Sequence, residues 1–181
     1  MRIVVSSMKG EFSYKDLDES YKKDLEKAVT NRSQTRKFLR QLRKRKLKKL
    51  DETVKALHDE VFEEEVDCLS CANCCKTISP VFTDNDISRI AKHLKMKPGQ
   101  FVETYLHLDE DEDYVLNESP CSFLGTDLYC SIYEVRPKAC REYPHTSRVN
   151  FKKVIPLTMK NVEVCPAAYR IVERLKEVEL K

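Results

Sequence analysis

The stretch CLSCANCC, residues 68–75, places four of the chain's eight cysteines within eight positions. Cys68, Cys71 and Cys74 follow one another at steps of three. This spacing brings successive thiolates to one side of a tight turn and lets them share a metal centre. Cys75 differs because neighbouring side chains diverge, so we do not expect Cys74 and Cys75 to bind one ion together. The adjacent pair therefore predicts two centres, or one centre with a supporting thiol beside it.

The remaining cysteines lie far apart, so only the fold could bring them into a site. They are Cys121, Cys130, Cys140 and Cys165. Eight thiols allow two sets of four. A metal held by them would stabilise a chain with a modest apolar core, because the free energy of metal binding becomes free energy of folding. The alternative is that these distal cysteines are buried and inert.

All-thiolate sites suit both zinc and iron–sulfur clusters, so residue type alone leaves the metal open. The C-x2-C-x2-C spacing is similar to the bacterial ferredoxin run, and a remote cysteine followed by proline, here Cys165-Pro166, often completes such a cluster. Structural zinc sites normally use two separated C-x2-C pairs, which this chain lacks. We therefore favour an iron–sulfur cluster, with a zinc or iron ion as the alternative.

The start of the chain, MRIVVSSMKG, carries one short apolar run, Ile3 to Val5, and no signal-peptide core. We therefore expect a cytoplasmic protein, in whose reducing surroundings grouped thiols hold metal or do redox chemistry more often than they form disulfides. No apolar run approaches the roughly 18 residues that a membrane span needs, so we expect none.

Residues 13–65 are highly charged and predict about two helices. The first has an apolar stripe, and the segment TNRSQT at 30–35 interrupts it. A second helix is predicted over about 33–64. Composition changes at Asp67, which predicts a helical arm over 1–65 and a cysteine-rich metal-binding domain over 66–181.

The second module alternates short elements. Thr83 and Asp86 form a capping box that predicts a helix to about Leu94. Further predicted elements are a helix from Lys97-Pro98, an exposed acidic loop at 109–113, strands at 114–116, 123–129 and 149–157, a helix near 133–140, and a terminal helix from Cys165-Pro166. The predicted fold class is therefore α+β and mostly helical.

Three blocks of the sequence resemble the YkgJ-like cysteine-cluster family, also described as CxxCxxCC zinc- or iron-chelating domains. They are CLSCANCC, PCSFL at 120–124 and CSIYEVRPKACREYP at 130–144, and the resemblance covers roughly residues 66–170. It implies metal binding through Cys68, Cys71, Cys74, Cys75, Cys121, Cys130, Cys140 and Cys165. The domain is also similar to part of the flagellin lysine N-methylases, where an iron–sulfur cluster is implied.

The block IYEVRPKACREYP places Tyr133, Arg136, Arg141 and Tyr143 around the candidate ligand Cys140. Arginine does not bind metal. It can donate to a thiolate-rich centre, whose negative charge needs compensation, or clamp an anionic substrate through its planar fork. We expect the first role. For His145, close to the same block, we expect a solvated loop histidine.

The stretch RKFLRQLRKRKLKK, residues 36–49, holds nine Lys or Arg and no acid, and could bind an acidic partner. We expect a protein partner. Nucleic acid is the alternative, which is weakened because side chains for base stacking are absent apart from Phe38.

The three glycines, Gly10, Gly99 and Gly125, stand too far apart for a phosphate-binding loop, so we expect no nucleotide cofactor. Two functions stay open. The chain is a metal-dependent binding module, or it is a redox or protein-modifying enzyme component that uses its cluster.

Overall fold

The computed structural model describes residues 17–178, which fall into two compact units interleaved along the sequence. The helical unit contains residues 17–71 and 144–178, and the inserted unit contains residues 72–143. The segment predicted to be helical from residue 13 begins outside the described residues. The predicted division into 1–65 and 66–181 stays a prediction.

Helices dominate the described residues. In chain order they are α1 Glu19–Thr30, α2 Arg32–Lys44, α3 Leu50–Glu64, α4 Cys68–Cys71, α5 Asn73–Thr77, α6 Asp84–His93, α7 Pro98–Tyr105, α8 Lys138–Glu142, α9 Phe151–Asn161 and α10 Pro166–Glu177. The strands are β1 Leu106–Leu108 and β2 Tyr114–Leu116, and a 3-10 turn spans Tyr133–Val135. The predicted α+β, mostly helical fold class is confirmed. Among the described helices, none combines the length and the apolar character that a membrane crossing requires.

In the helical unit, the apolar stripes of α1, α2 and α3 pack against α9 and α10. Asp18 caps α1, since its carboxylate accepts a hydrogen bond of 2.8 Å from the backbone N–H of Ser20. The buried apolar side chains on these three helices are Tyr21, Leu25, Ala28, Leu39, Leu42, Leu50, Val54 and Val61. Burial of these stripes supplies the main stabilising free energy of the unit.

The single long helix predicted over 33–64 is wrong. Helix α2 ends at Lys44, and α3 begins at Leu50. The helix ends because Arg45, the residue after Lys44, has an extended backbone, with φ −76° and ψ 144°. The turn also lets α2 pack on α9 while α3 packs on α10.

The strand predicted over 149–157 is also wrong, because this segment forms helix α9. Its buried positions Phe151, Val154, Ile155 and Thr158 recur at helical spacing. The carboxylate of Asp51 accepts hydrogen bonds from the backbone N–H groups of Asn150 (2.7 Å) and Phe151 (2.9 Å). Asp51, about 100 positions earlier in the chain, thus provides hydrogen-bond acceptors for the backbone N–H groups at the start of this helix.

The terminal helix begins at Cys165-Pro166 as predicted, with Cys165 as its N-cap and Pro166 in the first turn. Its predicted inward face is confirmed for Ala168, Ile171, Val172 and Leu175, which are buried. Val178, which was also predicted to point inward, follows the last helical residue and is 38% exposed.

The core of the inserted unit is aromatic and aliphatic. It contains Phe82, Ile87, Ile90, Phe101, Leu106, Leu116, Phe123 and Ile132. The predicted capping box is confirmed at the start of α6, and Pro98 starts α7. Strand β2 confirms the predicted strand at 114–116 and pairs antiparallel with β1, and the acidic residues 109–113 connect the two strands.

The predicted pair of strand edges at 123–129 is reduced to an isolated bridge between Leu124 and Cys130. The turn between them is tight, since the backbone N–H of Gly125 donates to the carbonyl oxygen of Tyr129 (2.8 Å). A Cβ atom at Gly125 would lie too close to the Asp127 carboxylate, so a larger residue there would displace that side chain. We call residues 121–130 the cysteine hairpin, because a cysteine stands at each end.

Candidate metal centre

Four cysteines of the inserted unit influence one another electrostatically, and we call them the four-thiol cluster. Its members are Cys75 on α5, Cys121 and Cys130 at the ends of the cysteine hairpin, and Cys140 on α8. Burial raises the pKa of Cys140 well above the ordinary thiol value, and negative charge on the other three raises it further. The fold therefore gathers thiols that lie 65 residues apart in the sequence.

Backbone hydrogen bonds connect the elements that carry this cluster. The N–H of Cys121 donates to the carbonyl oxygen of Cys75 (2.9 Å), which ties the cysteine hairpin to α5. Within the hairpin, the N–H of Ser131 donates to the carbonyl oxygen of Phe123 (2.9 Å). The buried ring of Phe123 anchors the hairpin in the aromatic core.

The thiols of the cluster have unequal acidities. Burial raises the pKa of Cys121 to about 11 and also raises that of Cys130. The pKa of Cys75 is lowered instead, because a hydrogen bond from Cys74 and then the positive charge of Arg136 outweigh the effect of burial. Cys75 is therefore the member of the cluster most ready to become a thiolate, the form that binds metal.

Arg136 is a cation beside this cluster. Its guanidinium carbon lies 3.7 Å from the centre of the Tyr133 ring, and Nη1 donates to the Tyr133 carbonyl oxygen (2.6 Å). Its positive charge opposes the rise in pKa that burial causes at Cys130 and Cys140. Of the other residues expected to support the centre, Arg141 is exposed and Tyr143 is half-buried.

The helical unit contains a second set, the three-thiol group. Cys68 and Cys71 lie on α4, and Cys165 precedes α10. Burial raises the pKa of Cys165, and negative charge on Cys68 and Cys71 adds to the rise. The sulfur of Cys165 also accepts the backbone N–H of Ala168 at 3.4 Å, so the same atom caps the helix.

Cys74 belongs to the inserted unit, whereas Cys68 and Cys71 belong to the helical unit. The sharing of one centre by these three cysteines stays a prediction. None of the eight cysteines forms a disulfide with another described residue. Among residues 17–178, no group of three or more His, Cys, Asp or Glu side chains is positioned so that it could hold a metal ion. The cluster is thus a gathered donor set rather than a finished coordination sphere, and its soft sulfur donors fit zinc or iron.

The expectation of a solvated His145 is wrong, because this side chain is fully buried in the helical unit. Nearby in that unit, the Asn161 amide donates to the carbonyl oxygen of Pro144 (2.9 Å), and His58 Nδ1 lies 2.7 Å from Thr146 Oγ1. The polar sequence around His145 indicated exposure, but α9 and α3 supply polar partners for this segment.

Sequence reasoning missed Arg89. Its guanidinium binds Asp86 at 2.6 Å and also reaches the carbonyl oxygen of Arg136 at 3.0 Å. The spacing of Asp86 and Arg89, three residues apart on α6, indicated an ordinary helix ion pair and gave no sign of the distant carbonyl contact.

Comparison with protein families gives one match. Residues 67–166 match the family model described as "CxxCxxCC: Putative zinc- or iron-chelating domain". No curated protein and no solved structure matches the chain. The matched residues cover more than half of the chain and include all eight cysteines. On the strength of that match and of the gathered thiols, the chain belongs to the CxxCxxCC family.

Proposed function

We propose that the protein binds metal through the four-thiol cluster of its inserted unit and acts as a metal-dependent binding module. The observation that carries the proposal is that the inserted unit brings Cys121 to Cys75, joined by a backbone hydrogen bond of 2.9 Å, with Cys130 and Cys140 near enough for negative charge on one thiol to raise the pKa of another. Thiolates at these positions would repel one another, so the thiols stay protonated unless a cation offsets the charge. A bound metal would be that cation, and it would displace the thiol protons.

The surrounding residues would support the bound metal. Four thiolates around a divalent ion leave net negative charge, which the guanidinium of Arg136 would partly compensate. Contact with the Tyr133 ring holds that guanidinium in place. We propose Cys68, Cys71 and Cys165 as ligands of a second centre in the helical unit. Cys74 is proposed as a ligand from its spacing alone.

We favour an iron–sulfur cluster, on the basis of the ferredoxin-like spacing and the Cys165-Pro166 pair. When bound, such a cluster would supply electron transfer. The relation to the YkgJ-like proteins and to the flagellin lysine N-methylases is part of the proposal. Eight cysteines without a disulfide among the described residues fit a reducing compartment, so we propose a cytoplasmic location.

The metal is tested by purifying the full-length protein without oxygen, recording its visible spectrum, and measuring iron, zinc and acid-labile sulfide. We expect a coloured protein that contains iron and sulfide. A colourless protein with zinc alone would replace the iron–sulfur cluster with a zinc site. A protein with neither metal would refute the proposal.

A substitution tests the ligands. Cys140→Ser should lower metal content, because the hydroxyl is a poor substitute for a thiolate. The matched control is Ala139→Ser, which introduces the same hydroxyl one position earlier and leaves all thiols in place. Equal metal content in Cys140→Ser and Ala139→Ser would show that Cys140 is not a ligand.

A partner surface is proposed on the helical unit. Helix α2 and the turn after it expose seven cations that have no ion pair within residues 17–178, namely Lys37, Arg40, Arg43, Lys44, Lys46, Lys48 and Lys49. Arg32 and Arg36, by contrast, both bind Glu163, at 2.7 and 3.1 Å. We propose that the unpaired cations bind an acidic protein segment.

Binding of an acidic peptide and of duplex DNA to wild type and to Lys37→Glu/Arg40→Glu/Arg43→Glu would test this surface. We expect peptide binding that weakens with salt and is lost in the triple variant. Binding of DNA but not of the peptide would replace the protein partner with nucleic acid.

A further inference from the structure

The carboxylate of Asp86 is buried, with 1% of the residue exposed, and four hydrogen bonds reach it. Its Oδ2 accepts from the backbone N–H and the hydroxyl of Thr83, at 3.1 and 2.7 Å. Its Oδ1 accepts from Arg89 Nη2 at 2.6 Å and from the backbone N–H of Lys138 at 3.0 Å. Only the Oδ2 contacts belong to the capping box of α6.

Arg89 extends the same contact. Besides Asp86, its Nη2 donates to the carbonyl oxygens of Arg136 (3.0 Å) and Val135 (3.4 Å). Asp86 and Arg89 together therefore bind backbone groups on both sides of Pro137. We call this pair and its contacts the Asp86–Arg89 clamp. It joins α6 to a segment about 50 residues later in the chain.

The segment that contains α8 depends on tertiary contacts for its conformation. Helix α8 has five residues and no side-chain cap, and helices of that length do not form without tertiary contacts. The N–H of Lys138 is one of its first donors, and Asp86 satisfies it. The carbonyl oxygen of Arg136 is one of the groups that Arg89 binds. Cys140 follows Lys138 by two residues, which is less than one helical turn.

We propose that Asp86 and Arg89 are positioning residues for the metal centre, because they fix the backbone that directs Arg136 and Cys140 toward the other thiols. This inference rests on the proposed metal binding. The hydrogen-bond partners of Asp86 and Arg89 are oxygen and nitrogen atoms. Both residues therefore act through the backbone of α8 and of the turn before it. Partners that orient ligands in this way typically change metal affinity about 10- to 100-fold when they are lost.

The competing explanation is that the clamp only stabilises α6. Thr83→Ala separates the two explanations, because it removes the cap of α6 while Asp86 keeps its contacts with Arg89 and Lys138. Asp86→Asn retains the shape of the side chain but weakens the clamp. Arg89→Lys keeps the positive charge but loses the planar fork that reaches Asp86 and two carbonyl groups.

We would measure three quantities for the full-length wild type, Asp86→Asn, Arg89→Lys and Thr83→Ala. These are urea unfolding of the metal-free protein, Zn(II) affinity by competition with a chelator, and the rate of Cys140 alkylation resolved by peptide mass spectrometry. All three variants should be destabilised. Only the two clamp variants should bind Zn(II) at least about 10-fold more weakly and alkylate Cys140 at an altered rate.

Two results would overturn the inference. One is a loss of Zn(II) affinity in Thr83→Ala as large as in the clamp variants, and the other is unchanged affinity in both clamp variants. If wild type binds no Zn(II), the proposed function fails for zinc, and the alkylation rate alone decides the positioning role. If Asp86→Asn does not fold, Arg89→Lys carries the same comparison.

Discussion

Phe123 connects the core of the inserted unit to the cysteine hairpin, so its removal should weaken both. The residue is 5% exposed, and its ring centre lies 6.1 Å from that of Phe101 and 5.0 Å from that of Tyr105. Its carbonyl oxygen accepts from Ser131, next to Cys130. We expect Phe123→Ala to lower the free energy of unfolding and to reduce metal binding together.

The magnitude follows from these contacts. Truncating a buried Phe to Ala costs about 3–5 kcal/mol. The two ring contacts account for about 0.5–1.5 kcal/mol each, so Phe123→Leu, which keeps most of the apolar volume, should cost about 1–3 kcal/mol. A domain is typically stable by only about 5–15 kcal/mol, so the Ala variant should lose a large fraction of its free energy of unfolding.

Urea unfolding of the metal-free full-length protein measures the free energy, and Zn(II) titration measures binding. The matched control is Tyr129→Ala in the same hairpin, whose side chain is 47% exposed and whose ring centre lies 6.0 Å from that of Tyr133. Its one ring contact predicts a loss of about 1 kcal/mol. A Phe123→Ala variant no less stable than Tyr129→Ala would refute the anchoring role.

Three further outcomes are expected in the helical unit. Asp51→Ala should lower the free energy of unfolding by about 1–2 kcal/mol, since it removes the cap of α9, whereas Glu52→Ala, exposed at the next position, should change little. Burial holds the pKa of His58 below its ordinary value of 6.5, so stability should be full above that pH and fall as pH drops below it. This loss, measured by thermal unfolding, should shrink in His58→Gln, and an unchanged pH profile would contradict it. Cys165→Ser should reduce metal content while metal-free stability is kept, since serine also caps α10, and unchanged metal content would remove Cys165 from the ligands.

Local patterns predicted the elements whose ends are determined by neighbouring residues. The Thr83–Asp86 capping box and the Cys165-Pro166 start each lie within a few residues of the helix that they begin, and both were predicted. Helix α9 was missed although its buried positions recur at helical spacing, and the contact that satisfies its first backbone donors comes from Asp51, about 100 residues earlier. The break after Lys44 was missed because it depends on which helices α2 and α3 pack against.

The candidate metal centre also combines features set by local sequence with features set by distant contacts. Residue type and spacing identified the candidate thiols, but their grouping depends on nonlocal contacts such as that between Cys121 and Cys75. Arg136 was predicted beside a thiolate-rich centre because it is close to Cys140 in sequence. Arg89 was missed because its carbonyl partners lie about 46 residues away, and a helix surface pattern contains no information about them.

Within the CLSCANCC stretch, the chain passes from one compact unit to the other. Cys71 ends the first segment of the helical unit, and Cys75 lies in the inserted unit. Closeness in sequence therefore does not imply a common metal. After burial, negative charge on Cys71 raises the pKa of Cys165, 94 residues later, and negative charge on Cys75 raises the pKa of Cys140. Since each set draws on its own unit, a metal bound by one set would stabilise that unit directly, and short spacing alone cannot assign a cysteine to its centre.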